Sequence, residues 1–569
     1  MYVAKKLSLV FLCLLAVLLT SCDIFGGNNQ PSKPVKAPPG KQVYVDPEVG
    51  ISDITSFDPA LAYDLPSITA IQMVYTGLVQ LDDKMQVQPQ ISQSWGLSAD
   101  GLTWTFHLRS GLKFSDGTPL TSHDVAYSLD RALQPTTRST IAPIYLDLLK
   151  DSDKLLAGTI PTLIGDSLIT PDDSTLIIIT RKKAAYFLDM LTHSCTYVVE
   201  KKLIDTYGAN FTNHLDEGGG AGPFKVSKYL HGQEIDFVPN PNYYGHAPQL
   251  RKVIFPFYRQ ASAVYQAYQG GQVDTTSVPF SVFDADKKRA DFHQVPQLWI
   301  NYYTMNYLVK PFDNIHIRQA FALAIDKTAI ANNIWKNTVL PTNHIVPQGM
   351  NGYNPHLTGP DGTQNLKGNA TKARALLNQG IQEEGWSSLA QLPSIKLTYA
   401  TGVSSFDQEV TAMISMWQNV LGISVTADPV DYNTLLAEVT AATNNAHGLQ
   451  FWGLAWVAEY PDPQDWLTRQ FDAGALNNSM NYGQNTSNDA AEQQAIQQQL
   501  EHADADFQQN TRLQSYQQAE QQLVNDVAWM PMEQVTQIFL RKPYVVGMVD
   551  NAQGLVPPDD WANIYIVQH

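Results

Sequence analysis

Few side chains in this sequence are arranged for chemistry. The glycine-rich stretch 218–223 could hold a phosphate through its backbone amides, but Pro223 has no amide hydrogen to donate. The 13 histidines include no pair four residues apart, the spacing that sets two imidazoles on one helix face to bind a metal. Asp462 and Asp465 could act as an acid and a base, yet two acids around a proline more often form a turn and a helix cap. We therefore predict no catalytic site, no metal site and no cofactor.

One residue near the N-terminus, Cys22, is placed for a covalent modification. Two lysines precede the apolar stretch 7–19, which is too short for a bilayer span of roughly 20 residues and is typical of an export signal. The Leu-Thr-Ser-Cys run at 19–22 resembles the lipobox of bacterial lipoproteins, in which the cysteine is acylated and becomes the mature N-terminus. We expect a signal peptide at 1–21, a lipid on Cys22 and a flexible tether rich in Gly, Asn and Pro at 22–40. An uncleaved anchor or an ordinary export signal is the alternative.

Strand and helix patterns alternate through the rest of the chain. Apolar and polar residues alternate over 102–108, which predicts a strand, and the turn-forming residues 115–119 follow it. Thr121 and Asp124 then form a capping box, so a helix is predicted to begin there.

A later segment repeats this alternation. Apolar residues at helical spacing from Val410 to Leu421 predict a helix, which Gly422 ends before a strand that begins at 423–426. Such helix–glycine–strand units indicate an α/β protein with partly parallel sheets. A glutamine-rich stretch near the C-terminus is predicted to be a solvated helix pair, because four of its apolar residues share one helical face: Ile496, Leu500, Ala503 and Phe507.

Composition limits the class of protein further. The 569 residues, with 44% hydrophobic and 16% charged, indicate a globular chain of several domain units at roughly 150 residues each. The net charge of −17 disfavours nucleic acid and anionic lipid as primary partners. Three cysteines are too few for a disulfide scaffold, and Cys195 is expected to be a small buried hydrophobe. The 11 Trp and 26 Tyr suit a protein that holds varied organic ligands.

Several blocks of sequence together resemble the peptide/nickel family (family 5) of extracellular solute-binding proteins of ABC transporters. The most specific block is the family signature between residues 94 and 131. The other blocks span about residues 45 to 569, essentially the whole chain after the tether, and the last is similar to the tail of the oligopeptide-binding branch: 57–60, 74–79, 222–225, 240–244, 317–326 and 564–569.

The resemblance implies an α/β, two-lobed fold of the periplasmic-binding-protein kind (type 2, cluster C), with an extra subdomain in the discontinuous lobe. The implied ranges are 41–80, 196–305 and 535–569 for lobe I, 81–195 for the extra subdomain and 306–534 for lobe II. The ligand is then enclosed between the lobes, bound without chemical change and passed to an ABC permease. We expect a monomer, anchored by its lipid to the outer face of the bacterial membrane.

The resemblance also implies ligand-binding residues. In the peptide-binding branch an acid that follows a tryptophan-containing strand pairs with the peptide α-ammonium, and Glu459 stands here where the branch usually has Asp. Trp456 is expected to line the pocket, and Tyr303, Trp452 and Tyr460 are further candidates. A solvated acid at Glu459 and core packing at Trp456 are the alternatives.

Gly453 is a departure from part of the family. Some tripeptide binders carry an arginine six positions before the acid, which pairs with the peptide C-terminal carboxylate, and glycine excludes that contact. The preferred ligand length therefore stays open. We expect capture of oligopeptides; the alternatives are a nickel chelate, an oligosaccharide or a small amine on the same fold, or a secreted hydrolase.

Overall fold

The computed structural model describes residues 35–569. The predicted signal peptide, Cys22 and most of the predicted tether lie outside the described residues. The strands in chain order are β1 Val43–Val45, β2 Glu48–Val49, β3 Val79–Leu81, β4 Val87–Pro89, β5 Ser92–Leu97, β6 Thr103–Leu108, β7 Leu168–Asp172, β8 Thr175–Ile179, β9 Phe224–Leu230, β10 Glu234–Pro239, β11 Lys252–Tyr258, β12 Thr275–Ser277, β13 Phe292–Met305, β14 Val339–Pro341, β15 Ile395–Ala400, β16 Val425–Val430, β17 Phe451–Val457, β18 Met530–Arg541, β19 Val545–Val546 and β20 Tyr565–Ile566.

Helices connect most of these strands. They are α1 Leu65–Val74, α2 Ser122–Leu133, α3 Ala142–Tyr145, α4 Ser152–Leu156, α5 Phe187–Met190, α6 Lys201–Tyr207, α7 Ala261–Gln269, α8 Phe283–Asp286, α9 Ile315–Leu323, α10 Lys327–Asn333, α11 Ala370–Glu383, α12 Ser404–Leu421, α13 Tyr432–Ala441, α14 Pro463–Trp466, α15 Thr468–Phe471, α16 Ala490–Asp504 and α17 Gln509–Asn525. Short 3-10 helices lie at Pro39–Lys41, Ser194–Thr196, Gly208–His214, Leu389–Gln391 and Pro558–Asn563. Within residues 35–569 no helix combines the length and the apolar character that a membrane crossing requires.

One lobe is built on a seven-stranded sheet in the order β12-β18-β13-β17-β15-β16, with β14 paired to β18. The long strands β13 and β18 are antiparallel, whereas β15 runs parallel to both β16 and β17. The predicted partly parallel sheet is therefore confirmed. Helix α12 joins β15 to β16 and ends as predicted at Gly422, whose φ of +73° is a left-handed conformation that glycine adopts without a steric cost.

The other lobe contains a five-stranded sheet, β1-β11-β10-β9 with β2 beside β11. The C-terminal segment returns to this lobe, since the Ala37 amide donates to the Ile566 carbonyl at 2.8 Å. Trp561 and Ile564 are buried in the same apolar cluster as Phe237 and Phe255 of the sheet. The C-terminal segment therefore completes the hydrophobic core of the lobe that contains β1.

A four-stranded sheet in the order β5-β6-β8-β7 forms a separate unit beside this lobe. The strand predicted at 102–108 is β6, and helix α2 begins directly after Thr121 as predicted. The capping box is present, because the Thr121 amide donates to the Asp124 carboxylate at 2.8 Å. Cys195 is 2% exposed, as expected for a buried thiol.

The glutamine-rich stretch folds into the helix pair α16 and α17, but the prediction that the pair is solvated is wrong for several glutamines. Gln493 and Gln497 are buried. The Gln497 amide donates to the carbonyls of Phe471 and Tyr482 at 2.8 and 2.7 Å. Because these partners lie outside the helix, the sequence pattern of the helix alone does not predict the burial of Gln497.

Candidate ligand-binding cleft

Strand β17 is paired along its whole length on one side only. Strand β13 covers it from residue 451 to 457, whereas β15 reaches only Phe451 and Trp452. The Ala458 amide donates to the Leu298 carbonyl on the β13 side at 2.9 Å. Because hydrogen-bonding direction alternates along an antiparallel strand, the backbone groups of 453, 455 and 457 point to the unpaired side. In the described chain no strand pairs with them there, so this edge is open to an added strand.

Glu459 lies just beyond this open edge. Its carboxylate accepts a hydrogen bond from the Tyr145 hydroxyl at 2.7 Å, and its carbonyl accepts one from the same hydroxyl at 3.0 Å. Burial raises the pKa of Tyr145 well above its usual range, so the hydroxyl keeps its proton and remains a donor. The Tyr145 ring in turn stacks on His193, with centroids 3.8 Å apart.

The Glu459 carboxylate forms no salt bridge with any residue in the described part of the chain. Among residues 35–569 no Lys, Arg or His nitrogen lies within 4.0 Å of it. Burial lowers the pKa of the nearby His193 to about 3, so that ring is neutral at physiological pH. The site therefore presents a fixed, half-buried carboxylate that is available to an incoming cation.

Asp465 holds Glu459 and Trp456 in position. Its Oδ2 accepts hydrogen bonds from the Glu459 amide at 2.9 Å and from Trp456 Nε1 at 3.1 Å. Burial raises its pKa to about 7, and the Glu459 carboxylate adds to the rise, while Arg469 at 3.7 Å acts against it. Asp462 caps α14 through the Gln464 amide at 2.9 Å, so the turn and cap expected for this pair of acids are present.

The predicted site residues fall into different environments. Trp456 is half-buried beside Glu459, with the Arg469 guanidinium 5.8 Å from its ring centroid. Trp452 is 1% exposed in a hydrophobic core, and this placement gives no support to its predicted ligand contact. Tyr460 is also buried and stacks on Tyr186 with centroids 6.0 Å apart, on the side of the extra four-stranded unit. Neither ring reaches the open edge.

Tyr303 lies directly opposite Gly453 in the β13–β17 ladder. A Cβ atom at position 453 would stand 2.6 Å from Tyr303 Cε1, a clash that the ring could not accept without moving. The Tyr303 hydroxyl is fixed by the Glu409 carboxylate at 2.9 Å. Glycine at 453 is thus what allows the tyrosine to lie flat on the strand, and an arginine there is excluded by the same contact.

One space adjoins the open edge, and a second lies elsewhere in the molecule. One, of about 380 Å³, lies on the face of β17 that carries Gly453 and Ala455. The other, of about 390 Å³, lies between the two large sheets, where Leu65 of α1 faces Val295 and Ile538. Residues of β17 line the first space and none of them lines the second, so the cavity of about 380 Å³ is the space beside the open edge.

Sequence reasoning missed Tyr145, Asp465 and, apart from Tyr303, the aromatic residues around the 380 Å³ cavity as parts of this site. Tyr145 is separated from Glu459 by 314 positions in the chain, so no local pattern joins them. The signal that could have found Asp465 is its position only six residues after Glu459.

In a two-lobed α/β protein, a half-paired strand that ends at a half-buried carboxylate beside an apolar cavity is a site suited to binding an extended ligand. The chain belongs to the bacterial extracellular solute-binding proteins, family 5, whose model matches residues 86–478. The predicted family and the predicted two-lobed fold class are thus confirmed. The lobe boundaries at particular residues stay a prediction.

Known proteins of this kind match over nearly the whole chain. The dipeptide-binding protein DppE of Bacillus subtilis is 27% identical over 524 residues, covering 91% of each chain. The unliganded open form of the periplasmic murein tripeptide-binding protein MppA is 25% identical, with a TM-score of 0.80 over 95% of this chain and 99% of that one. Haemophilus influenzae OppA in complex with the peptide RPPGFSPFR is 22% identical, with a TM-score of 0.63 over 93% of this chain and 99% of that one.

Proposed function

We propose that this protein is a lipid-anchored receptor on the outer face of the bacterial membrane, which captures oligopeptides between its lobes and delivers them to an ABC permease. The observation that carries the proposal is the open edge of β17 ending at the Glu459 carboxylate. Membrane attachment through Cys22 and delivery to a permease rest on the sequence resemblance.

The geometry suits an extended peptide. The backbone groups at 453, 455 and 457 offer hydrogen bonds that any peptide can make, so affinity arises without regard to most side chains. Glu459 offers a charge-assisted hydrogen bond to the α-ammonium, which fixes the end of the peptide and hence its register. Free amino acids could use only the second of these contacts.

The arrangement of the lobes supports a ligand-free state that closes on its ligand. The TM-score against the unliganded open form of MppA is 0.80 over 95% of this chain. Exposed apolar side chains at the cavity beside β17, such as Trp299 at 39% and Tyr432 at 58%, are the kind of surface that a bound ligand would cover.

The proposal is tested by adding trialanine to the purified protein and measuring both the melting temperature and the radius of gyration by X-ray scattering. Binding at 100 times the dissociation constant stabilises the folded state by about 2.7 kcal/mol. We therefore expect a higher melting temperature and a smaller radius of gyration with the peptide, and no change with free alanine. A response to sugars or nickel chelates and none to peptides would contradict the proposal.

A further inference from the structure

The cavity of about 380 Å³ beside β17 is lined mainly by aromatic and aliphatic side chains. No lysine, arginine or histidine is among its lining residues. The walls are formed by large side chains from several elements of the seven-stranded lobe: Trp299, Tyr399, Phe406, Tyr432 and Leu435. Apolar surface of this kind, next to an open strand edge, is suited to an apolar group of the ligand.

The polar atoms at the base of the cavity are already paired with one another. The Trp299 Nε1 donates to Asn301 Oδ1 at 3.0 Å, and the Asn301 amide donates to Glu533 at 3.0 Å. The Tyr303 hydroxyl and the Trp335 Nε1 donate to the two oxygens of Glu409 at 2.9 and 2.6 Å. These four donors are therefore taken, and a carboxylate of the ligand would meet only uncharged hydroxyl groups, such as those of Thr401 and Tyr432.

The Glu409 carboxyl group beneath Tyr303 does not make the cavity a cation site. It is fully buried and both its oxygens are occupied. Burial raises its pKa to about 7, so it carries only part of a charge at neutral pH. An ammonium in the cavity would lose its hydration without gaining a direct partner, which is costly.

The register of an added strand decides which ligand residue meets the cavity. A peptide with its ammonium at Glu459 runs back along β17, antiparallel to it, so its first residue lies opposite Val457 and its third opposite Ala455. Directly opposite residues of an antiparallel pair share one face. Ala455 shares its face with Asn301 and with the cavity. The third side chain therefore points into the cavity, and the second points to the other face.

We infer that this cavity is a specificity pocket for a large, uncharged apolar or aromatic side chain at the third residue of the bound peptide. The inference rests on the proposed function, since it requires a peptide anchored by its ammonium at Glu459. It also accounts for Gly453, which lets Tyr303 lie flat as the base of the pocket in place of a cationic side chain.

The test is calorimetric titration of the full chain with the tetrapeptides Ala-Ala-X-Ala, where X is Phe, Ala, Glu or Lys. The Phe peptide is expected to bind roughly tenfold or more tighter than the Ala peptide, and the Glu and Lys peptides no tighter than Ala. Equal binding of all four peptides would overturn the proposed pocket but not the proposed function. The same gain from Ala-Phe-Ala-Ala would overturn the register. Failure of every peptide to bind would overturn the proposed function, and this inference with it.

A pair of variants on one helix separates the pocket from general effects. Tyr432→Ala removes a wall of the cavity, whereas Leu436→Ala removes a 38% exposed side chain of the same helix that does not line it. Both side chains are exposed, so neither change should unfold the protein. We expect Tyr432→Ala to reduce the preference for Phe over Ala severalfold and Leu436→Ala to leave it unchanged. An unchanged preference in Tyr432→Ala, or equal losses in both variants, would overturn the pocket.

Discussion

At the residue scale, the candidate site depends on contacts that orient the Glu459 carboxylate. Tyr145 donates to it at 2.7 Å, and Asp465 holds the Glu459 amide at 2.9 Å. Glu459 is thus held at two points before any ligand arrives, its carboxylate by Tyr145 and its backbone amide by Asp465. Because such a group loses little freedom on binding, its pairing with an ammonium is more favourable than that of a mobile surface acid.

Tyr145→Phe should weaken peptide binding by about tenfold, because it removes a hydrogen bond to a charged group that is worth roughly 1.5 kcal/mol or more. Calorimetric titration with trialanine measures the change. Tyr186→Phe is the matched control, since the Tyr186 ring stacks on Tyr460 and the hydroxyl that bonds Glu459 belongs to Tyr145. Equal affinity in Tyr145→Phe and the wild type would show that the hydroxyl does not orient the carboxylate.

Asp465 should make stability depend on pH. Its pKa is raised to about 7 in the folded protein, so between about pH 4 and pH 7 the folded state retains a proton that the unfolded state has lost. This contribution to stability is full below about pH 4 and is lost as the pH rises through about 7. In Asp465→Asn, which cannot titrate, the melting temperature should fall less steeply over that range than in the wild type. Parallel curves for the two proteins would contradict the assignment.

At the scale of elements, the open half of β17 is the edge to which an extended peptide would add as a strand. Residues 453, 455 and 457 direct their backbone groups away from β13, so the amide hydrogen at Ala455 takes no part in the sheet. A proline is tolerated on an edge strand where the missing amide faces outward. A proline at position 455 should therefore remove a hydrogen bond to the ligand without removing one from the sheet.

Ala455→Pro should leave the protein folded and weaken binding of trialanine by tenfold or more, because one backbone hydrogen bond to the peptide is lost and the ring crowds the edge. Ala455→Ser, which keeps the amide and nearly the same volume, should bind almost as the wild type does. The melting temperatures of both variants establish that they are folded. Wild-type affinity in Ala455→Pro would show that the peptide does not pair with this edge.

Much of the element structure was predictable because its causes are local. The capping box at Thr121 begins α2 and the left-handed Gly422 ends α12, both as predicted. Strand β16 begins at Val425, two residues later than predicted. The burial of Gln497 and the bond from Tyr145 to Glu459 were not predictable, since each depends on partners distant in the sequence. Glu459 itself was found through the family resemblance, not through any periodic pattern.

At the scale of the whole molecule, a two-lobed body follows an N-terminal segment that is predicted to attach it to a membrane and that lies outside the described residues. The lipobox-like run at 19–22 predicts acylation of Cys22. One acyl chain gives only marginal membrane binding, so stable anchoring requires more than one chain on the mature residue. Residues 35–569 include no helix with the length and apolar character of a membrane span.

Cys22→Ala should therefore abolish labelling with a radioactive fatty acid and move the protein from the membrane fraction to the soluble fraction. Cys195→Ala is the control, because that thiol is buried in the folded body and should not affect attachment. Membrane retention of Cys22→Ala would indicate an uncleaved N-terminal anchor in place of a lipid.

The central claim is that Glu459 pairs with the α-ammonium of a bound peptide, and a double-mutant cycle tests it most directly. The cycle combines Glu459→Gln, which keeps the shape and removes the charge, with N-acetylated trialanine, which lacks the ammonium. Each single change should weaken binding by roughly 2–5 kcal/mol, and the two together should cost little more than one, because both delete the same interaction. C-terminal amidation should matter less, since Gly453 offers no guanidinium to the carboxylate. Additive losses, or an amidated peptide that binds more weakly than the acetylated one, would contradict the claim.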